Sequence, residues 1–155
     1  MKKLLSVILA VLSISAVLCS CGQAEQKNPA TKDVAAAIKD STSFTELIEL
    51  NNDNIGRRYY GIDLDSIEEY CVMICSSGAL ADEIAVFKMK EQDDVEDMLE
   101  TVRERKQDLY DSFVDYVPDE VGKIENAVIG SNGNYVYLIV CDKRAEAKAA
   151  AEGCF

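Results

Sequence analysis

Thiols and carboxylates are the groups through which this chain could do chemistry. Six cysteines and 28 acidic residues stand in 155 positions that contain no histidine and no tryptophan. The missing histidine excludes a Ser-His-Asp type triad, a His-ligated zinc and an HExxH site outright. Cys71 and Cys75 invite a redox or metal reading. In a strand they share a face, but four residues at ~3.3 Å each set their Cα atoms about 13 Å apart. A disulfide spans about 7 Å at most, so they do not pair with each other there. Cys141 could reach one of them across a sheet. Buried free thiols are the favoured reading, since cysteine packs as a small hydrophobe. Export would favour oxidation, and an anaerobic host would weaken that preference. Cys154, near the terminus, is the expected exposed and reactive thiol.

The carboxylates cluster at Asp63, Asp65, Glu68 and Glu69, and again at Asp93, Asp94, Glu96 and Asp97. Such groups could hold calcium or act as acid and base, but nothing selects one pair among so many. Solvated faces and helix starts explain them more simply. Asn51 to Gly56 is faintly like a calcium loop and fails as one, because Ile55 falls at a ligand position and Ile62 where a bidentate Glu belongs. No residue is assigned a catalytic, cofactor-binding or metal-ligating role, and no cofactor is expected. Arg57-Arg58-Tyr59-Tyr60 is the one basic and aromatic cluster. Arg57, Arg58 and Tyr59 form a candidate partner patch, since Arg and Tyr are favoured at interface hot spots. The plainer reading has Tyr60 packed inward and the arginines paired with nearby acids.

One cysteine has a sharper role. Met1-Lys2-Lys3 opens a run, residues 4–18, that is apolar apart from Ser6, Ser13 and Ser15. A basic start, a short apolar stretch and small residues at its end describe a secretory signal. Crossing a bilayer takes ~20 apolar residues, so the run is short for a permanent span. Leu18-Cys19-Ser20-Cys21-Gly22 resembles a bacterial lipobox, which implies cleavage before Cys21 and a diacylglycerol on its thiol. Cys19 fits less well, because Leu18 would then occupy the small position before it. Two buried acyl chains, at ~0.8 kcal/mol per methylene, hold a protein stably on a membrane. The domains expected are a signal peptide over residues 1–20, a lipidated Cys21 with a flexible tether to residue 31, and a single domain over residues 32–155.

Taking Lys2 and Lys3 away from the 16 basic residues leaves 14 against 28 acids, a net charge near −14. That opposes nucleic-acid binding, which rests on Lys and Arg neutralising phosphates. It also keeps the body from lying flat on an anionic bilayer.

The remaining residues must supply a scaffold. Residues 32–40 suggest a first helix, and Ser43-Phe44-Thr45-Glu46 matches a capping box opening a second. A further helical turn runs to Tyr60, stopped by Gly61. Residues 70–75 form a continuous apolar run and residues 82–89 alternate, which predicts an antiparallel hairpin around Ser76-Ser77-Gly78. Val95, Met98, Leu99, Val102, Leu109, Tyr110 and Phe113 recur at helical spacing over residues 93–115. Pro118 starts a short helix through Lys123. Residues 124–130 and 135–141 predict a second hairpin around Asn132-Gly133. Asp142 is placed to cap a final helix over residues 145–152, with Gly153 beyond its end. The expected fold is α+β: a four-stranded antiparallel sheet in ββαββα order, the long helix on it and short helices before it.

Tyr60-Gly61-Ile62-Asp63, Glu83-Ile84-Ala85-Val86-Phe87-Lys88, Ser112-Phe113, Tyr116-Val117-Pro118-Asp119-Glu120, Ile124-Glu125-Asn126-Ala127-Val128-Ile129 and Gly133-Asn134-Tyr135-Val136 occur in an order that resembles the lipoprotein family of clostridial-type bacteria catalogued as domain of unknown function four-three-five-eight. The resemblance covers nearly all of the mature chain. It implies a lipid-anchored extracytoplasmic protein and carries no known activity. The expected function is a non-enzymatic binding or scaffolding module on the outer face of the cell membrane, attached through Cys21, with an envelope protein or cell-wall component as partner. The rival is an envelope enzyme using carboxylates or a thiol. A thiol sensor built on Cys154 or Cys141 is a third reading.

Overall fold

The computed structural model describes residues 27–62 and 64–155. Cys19, Cys21, the leader and residues 22–26 of the expected tether lie outside the described residues, as does Asp63. The elements run α1 (Thr31–Ser41), β1 (Leu47–Glu49), α2 (Asn52–Asn54) continuing as a π-helix (Ile55–Tyr59), β2 (Ile67–Cys75), β3 (Glu83–Met89), α3 (Val95–Phe113), α4 (Val121–Glu125), β4 (Val128–Asn132), β5 (Tyr135–Val140) and α5 (Arg144–Cys154). The fold is α+β, and its sheet is antiparallel throughout in the order β1-β2-β3-β5-β4. The two expected hairpins, β2–β3 and β4–β5, lie side by side through β3 and β5.

Alternation along the strands builds two cores. Ala85, Phe87 and Met89 of β3, with Val136, Leu138 and Val140 of β5, face α3 and the π-helix. Ile84 and Val86, with Tyr135, Tyr137 and Ile139, face α1 and α5. Every residue of β3 and β5 is therefore buried, as expected of central strands covered by helices on both faces. On α1 the buried positions Thr31, Val34, Ala35 and Ile38 have helical spacing, and Ala147 and Ala151 of α5 fit against the same core. Small side chains there let α1 and α5 share one face of a narrow sheet.

The sheet has one strand more than expected, because residues 47–49 are a strand and not the continuation of a capped helix. Glu46 sits at φ +41, which breaks any helix begun at Ser43. Leu47, Ile48 and Glu49 pair instead with Cys75, Ile74 and Met73. Edge pairing satisfies this backbone, whereas a helix squeezed between Ser43 and the Asn51–Asn54 break would be too short to be stable. At the other edge Ile124 belongs to α4, so β4 starts at Val128 rather than at residue 124. The second hairpin turns on Gly133 and Asn134, one residue later than expected, with Gly133 at φ +55. Asp142 does not cap α5: its N-cap is Lys143, with no side-chain cap, and the helix runs past Gly153 to Cys154.

Residues 27–30, assigned to the tether, touch the fold. The Tyr135 hydroxyl lies 2.7 Å from Asn28 Oδ1 and 2.8 Å from the Pro29 carbonyl oxygen, which share its one proton, and Lys27 Nζ donates to the Gly153 carbonyl (3.1 Å). The described chain thus enters at the end of the sheet where β3 finishes and β5 begins. Among the described residues no helix is long and apolar enough to cross a membrane.

At Gly130 the constraint is space. A Cβ there would lie 2.5 Å from Cζ of Tyr137, its cross-strand partner, whose ring in turn stacks on Phe155 with centroids 6.4 Å apart. Overpacking of this kind costs about 1–3 kcal/mol. Gly130→Ala in the full chain is expected to lose that much stability in urea unfolding, and Tyr137→Leu added to it is expected to return part of the loss. An unchanged urea midpoint for Gly130→Ala would show that the ring moves aside freely.

Candidate functional site

Three buried acids, Asp82, Glu83 and Glu120, gather at the sheet end opposite the chain entry, and at the entry end the buried Lys88 pairs instead with Glu68. Glu83 is the first residue of β3 and shares its face with Ala85 and Phe87, so its carboxylate points into the α3 core. Only 1% of Glu83 is exposed. Its cross-strand neighbours are Ile74 of β2 and Val140 of β5, and a lone carboxylate between them would be strongly unfavourable. Arg105 of α3 answers it. Nε lies 3.2 Å from both Glu83 oxygens and Nη2 lies 2.6 Å from Oε2, a forked pair of the strong kind. Tyr60, at the end of the π-helix, donates its hydroxyl to Glu83 Oε1 at 2.5 Å. Burial pushes the Tyr60 phenol well above its usual range, and the adjacent Glu83 charge adds to the shift. Burial alone would favour loss of the Arg105 proton, but Glu83 outweighs it and the guanidinium stays charged.

Aromatic rings frame the pair. Arg105 lies 5.0 Å from the Tyr59 ring centroid and 5.8 Å from that of Tyr60. Arg58 approaches Tyr59 at 5.8 Å, so Tyr59 carries a guanidinium from each of two elements. Tyr60 meets Phe87 edge to face at 5.1 Å. The plainer reading of this segment was right for Tyr60, which is buried. Arg57 and Arg58 are exposed, and neither makes an ion pair among the described residues.

Beside this network lies a mostly apolar groove of about 230 Å³, walled by Tyr59, Ile48, Ile74, Arg105, Leu109 and Phe113, with the β2–β3 loop at its far side. Ile48 is 49% exposed. A second charged cluster sits next door. Lys123 of α4 lies 3.0 Å from Asp82 Oδ2 and 2.8 Å from Glu120 Oε2, and Glu120 Oε2 also accepts the Ala81 N–H at 2.9 Å. Burial raises the Asp82 carboxyl against the opposing pull of Lys123. Both clusters pin the loop that leads into β3.

The cysteines do not gather in one place: Cys75 lines the groove, Cys141 lies beside Lys123 and Asp142, and Cys71 and Cys154 belong to the α1–α5 side. Cys71, Cys75, Cys141 and Cys154 are free thiols, and the first three are buried. Burial lifts Cys71 and Cys141 to about 11; nearby Glu49 adds to the rise at Cys71, while the Lys143 N–H eases it at Cys141. Cys154 is half-buried rather than freely exposed, donates to the Ala150 carbonyl at 3.2 Å and is also raised by burial. That position does not activate it as a nucleophile. Among the described residues, no three His, Cys, Asp or Glu side chains are grouped to hold a metal ion.

The sequence reading missed Glu83 and Arg105 as a site, although both left a trace. Glu83 is in phase with the inward positions Ala85, Phe87 and Met89. Arg105 and Lys106 fill the gap in the α3 stripe between Val102 and Leu109. An acid and a base each interrupting an apolar pattern is the signature of a buried pair.

Fold and site together define an α+β domain with a helix-covered antiparallel sheet and a buried Glu–Arg–Tyr network at one pole. The chain belongs to the family described as Domain of unknown function (DUF4358), whose model matches residues 40–141. No curated protein and no solved structure matches it.

Two outcomes follow. Arg105→Met leaves Glu83 buried without its cation and is expected to cost about 3–5 kcal/mol in urea unfolding, while Arg105→Met with Glu83→Gln recovers most of it. Equal losses in the single and double variants would mean that charge pairing is not what Arg105 supplies. For the thiols, folded-state values of about 11 stand above the ordinary 9.0. Below pH 9 both folded and unfolded chains hold these protons and stability is flat. As pH climbs from 9 towards 11 the unfolded chain ionises first, and stability falls. Cys71→Ala with Cys141→Ala is expected to reduce that alkaline slope in melts across this range; an unaltered slope would refute the assignment.

Proposed function

We propose that this protein is a lipid-anchored extracytoplasmic binding or scaffolding module, fixed to the outer face of the cell membrane through Cys21. The single observation that carries the reading is the Leu18-Cys19-Ser20-Cys21 junction at the end of a short apolar leader. The polarity of the fold supports it. The chain enters beside Tyr135, while the groove and both charged clusters lie beyond the other ends of β3 and β5. Six strand residues at ~3.3 Å separate the two poles by roughly 20 Å. A body held at its entry pole therefore presents the groove away from the lipid. A net charge near −14 keeps that body off an anionic surface.

A binding role suits the side chains better than a catalytic one. Glu83 is committed to Arg105 and Tyr60, Asp82 and Glu120 are committed to Lys123, and burial keeps Cys71 and Cys141 protonated at neutral pH. The groove, in contrast, offers apolar surface and the Tyr59 ring, which recognise partners without reacting with them.

In the native host, the protein is expected to incorporate a labelled fatty acid and to sediment with membranes, and Cys21→Ser is expected to abolish both. A wild-type protein recovered without lipid, still beginning at Met1, would overturn the reading.

A further inference from the structure

We infer that the groove beside Tyr59 takes an extended acidic peptide segment of a partner protein, laid as an added strand against the outer edge of β1. The inference rests on the binding-module reading and names the class of partner.

Three features converge there. The first is an open edge. β1 ends the sheet, and among the described residues nothing pairs with its outer side. The Glu46 carbonyl accepts from Ser76 and the Leu50 N–H donates to Val72, so the even-numbered residues bond inward to β2. In an antiparallel ladder the intervening residues, Leu47 and Glu49, then direct N–H and C=O outward. An unpaired edge of this kind is a template for strand addition.

The second is apolar. Ile48 stands on the α3 face beside Ile74, and both wall the groove. An added strand would lay alternate side chains on this face, next to Ile48 and over the groove. The remaining side chains would fall on the opposite face and take no part.

The third is charge. Arg58 lies 5.8 Å from the ring centroid of Tyr59, the groove residue it adjoins, and Arg57 is exposed beside it. In a chain with 28 acidic residues and 16 basic ones, two neighbouring arginines without ion pairs among the described residues are conspicuous. Their complement is an acid on the incoming segment. Tyr59, with Arg105 at 5.0 Å and Arg58 at 5.8 Å from its ring centroid, joins that contact to the groove.

The test is a selection of random heptapeptides displayed on phage against the full chain in detergent, followed by affinity measurement of the selected peptides as free synthetic peptides. The expected result is a set in which apolar residues alternate or cluster with Asp and Glu, and whose binding weakens with salt. Ile48→Lys and Arg58→Glu are each expected to lower affinity by about tenfold or more. Both side chains are largely exposed, so melting temperatures should match the wild type. Failure to enrich any peptide, enrichment of basic sequences, or equal affinity for the variants would overturn the proposal. So would a wild-type dimer that Ile48→Lys dissociates, since the edge would then belong to a second copy. Cys21→Ser leaves this measurement untouched, so the anchor and the peptide site fail separately.

Discussion

The carboxylate of Glu83 fixes the layout of this protein. It lies in a cross-strand row that reads Ile48, Ile74, Glu83, Val140, where every neighbour is apolar. A charge in that position is tolerable only if a cation and further donors arrive together. The forked approach of Arg105 requires one rotational setting of α3, and the Tyr60 hydroxyl requires the π-helix to close at one place. Such a network adds little net stability over a well-packed apolar equivalent. What it supplies here is a unique docking of two elements on the sheet, because any other setting strands a buried charge.

From that docking the surface features follow. With Tyr60 turned inward to Glu83, its neighbour Tyr59 is turned outward and becomes the wall between Arg58 and Arg105. The π-helix ends at Tyr59, and Tyr60 follows as its cap with a changed backbone angle (φ −122), so the two successive tyrosines lie on different sides of one buried pair. Lys123 performs a parallel task with Asp82 and Glu120, holding the loop before β3. The pole is therefore built of ion pairs below and apolar side chains above, and the groove between them is preformed.

Much of the architecture was legible because its patterns are local. The α3 stripe, the continuous run of β2 and the alternation of β3 each carry their period within a few residues and lie where those periods place them, and the Gly133 turn is displaced by one residue only. What was not legible depended on distant partners. Leu47-Ile48-Glu49 is a strand only because β2 lies alongside it, and the preceding Ser-x-x-Glu pattern would serve a helix equally well in isolation. Residues 27–30 look like tether by composition, yet Tyr135, more than a hundred residues away, gives Asn28 and Pro29 a place to bind. Glu83 and Arg105 each look like ordinary surface charges until the strand phase and the helix stripe are overlaid.

The central position of β3 has a kinetic consequence. Its hairpin with β2 is local and can form early, but its other edge must wait for β5, which follows only after α3, α4 and β4. Sheets assembled from such distant partners form slowly. During that interval a strand whose two faces are both apolar lies open along one side, the arrangement most prone to joining with its like. The ordering of α3 over that strand, drawn down by Arg105 onto Glu83, would shield one face before β5 arrives. The same contact that sets the native geometry thus also guards the chain on its way there.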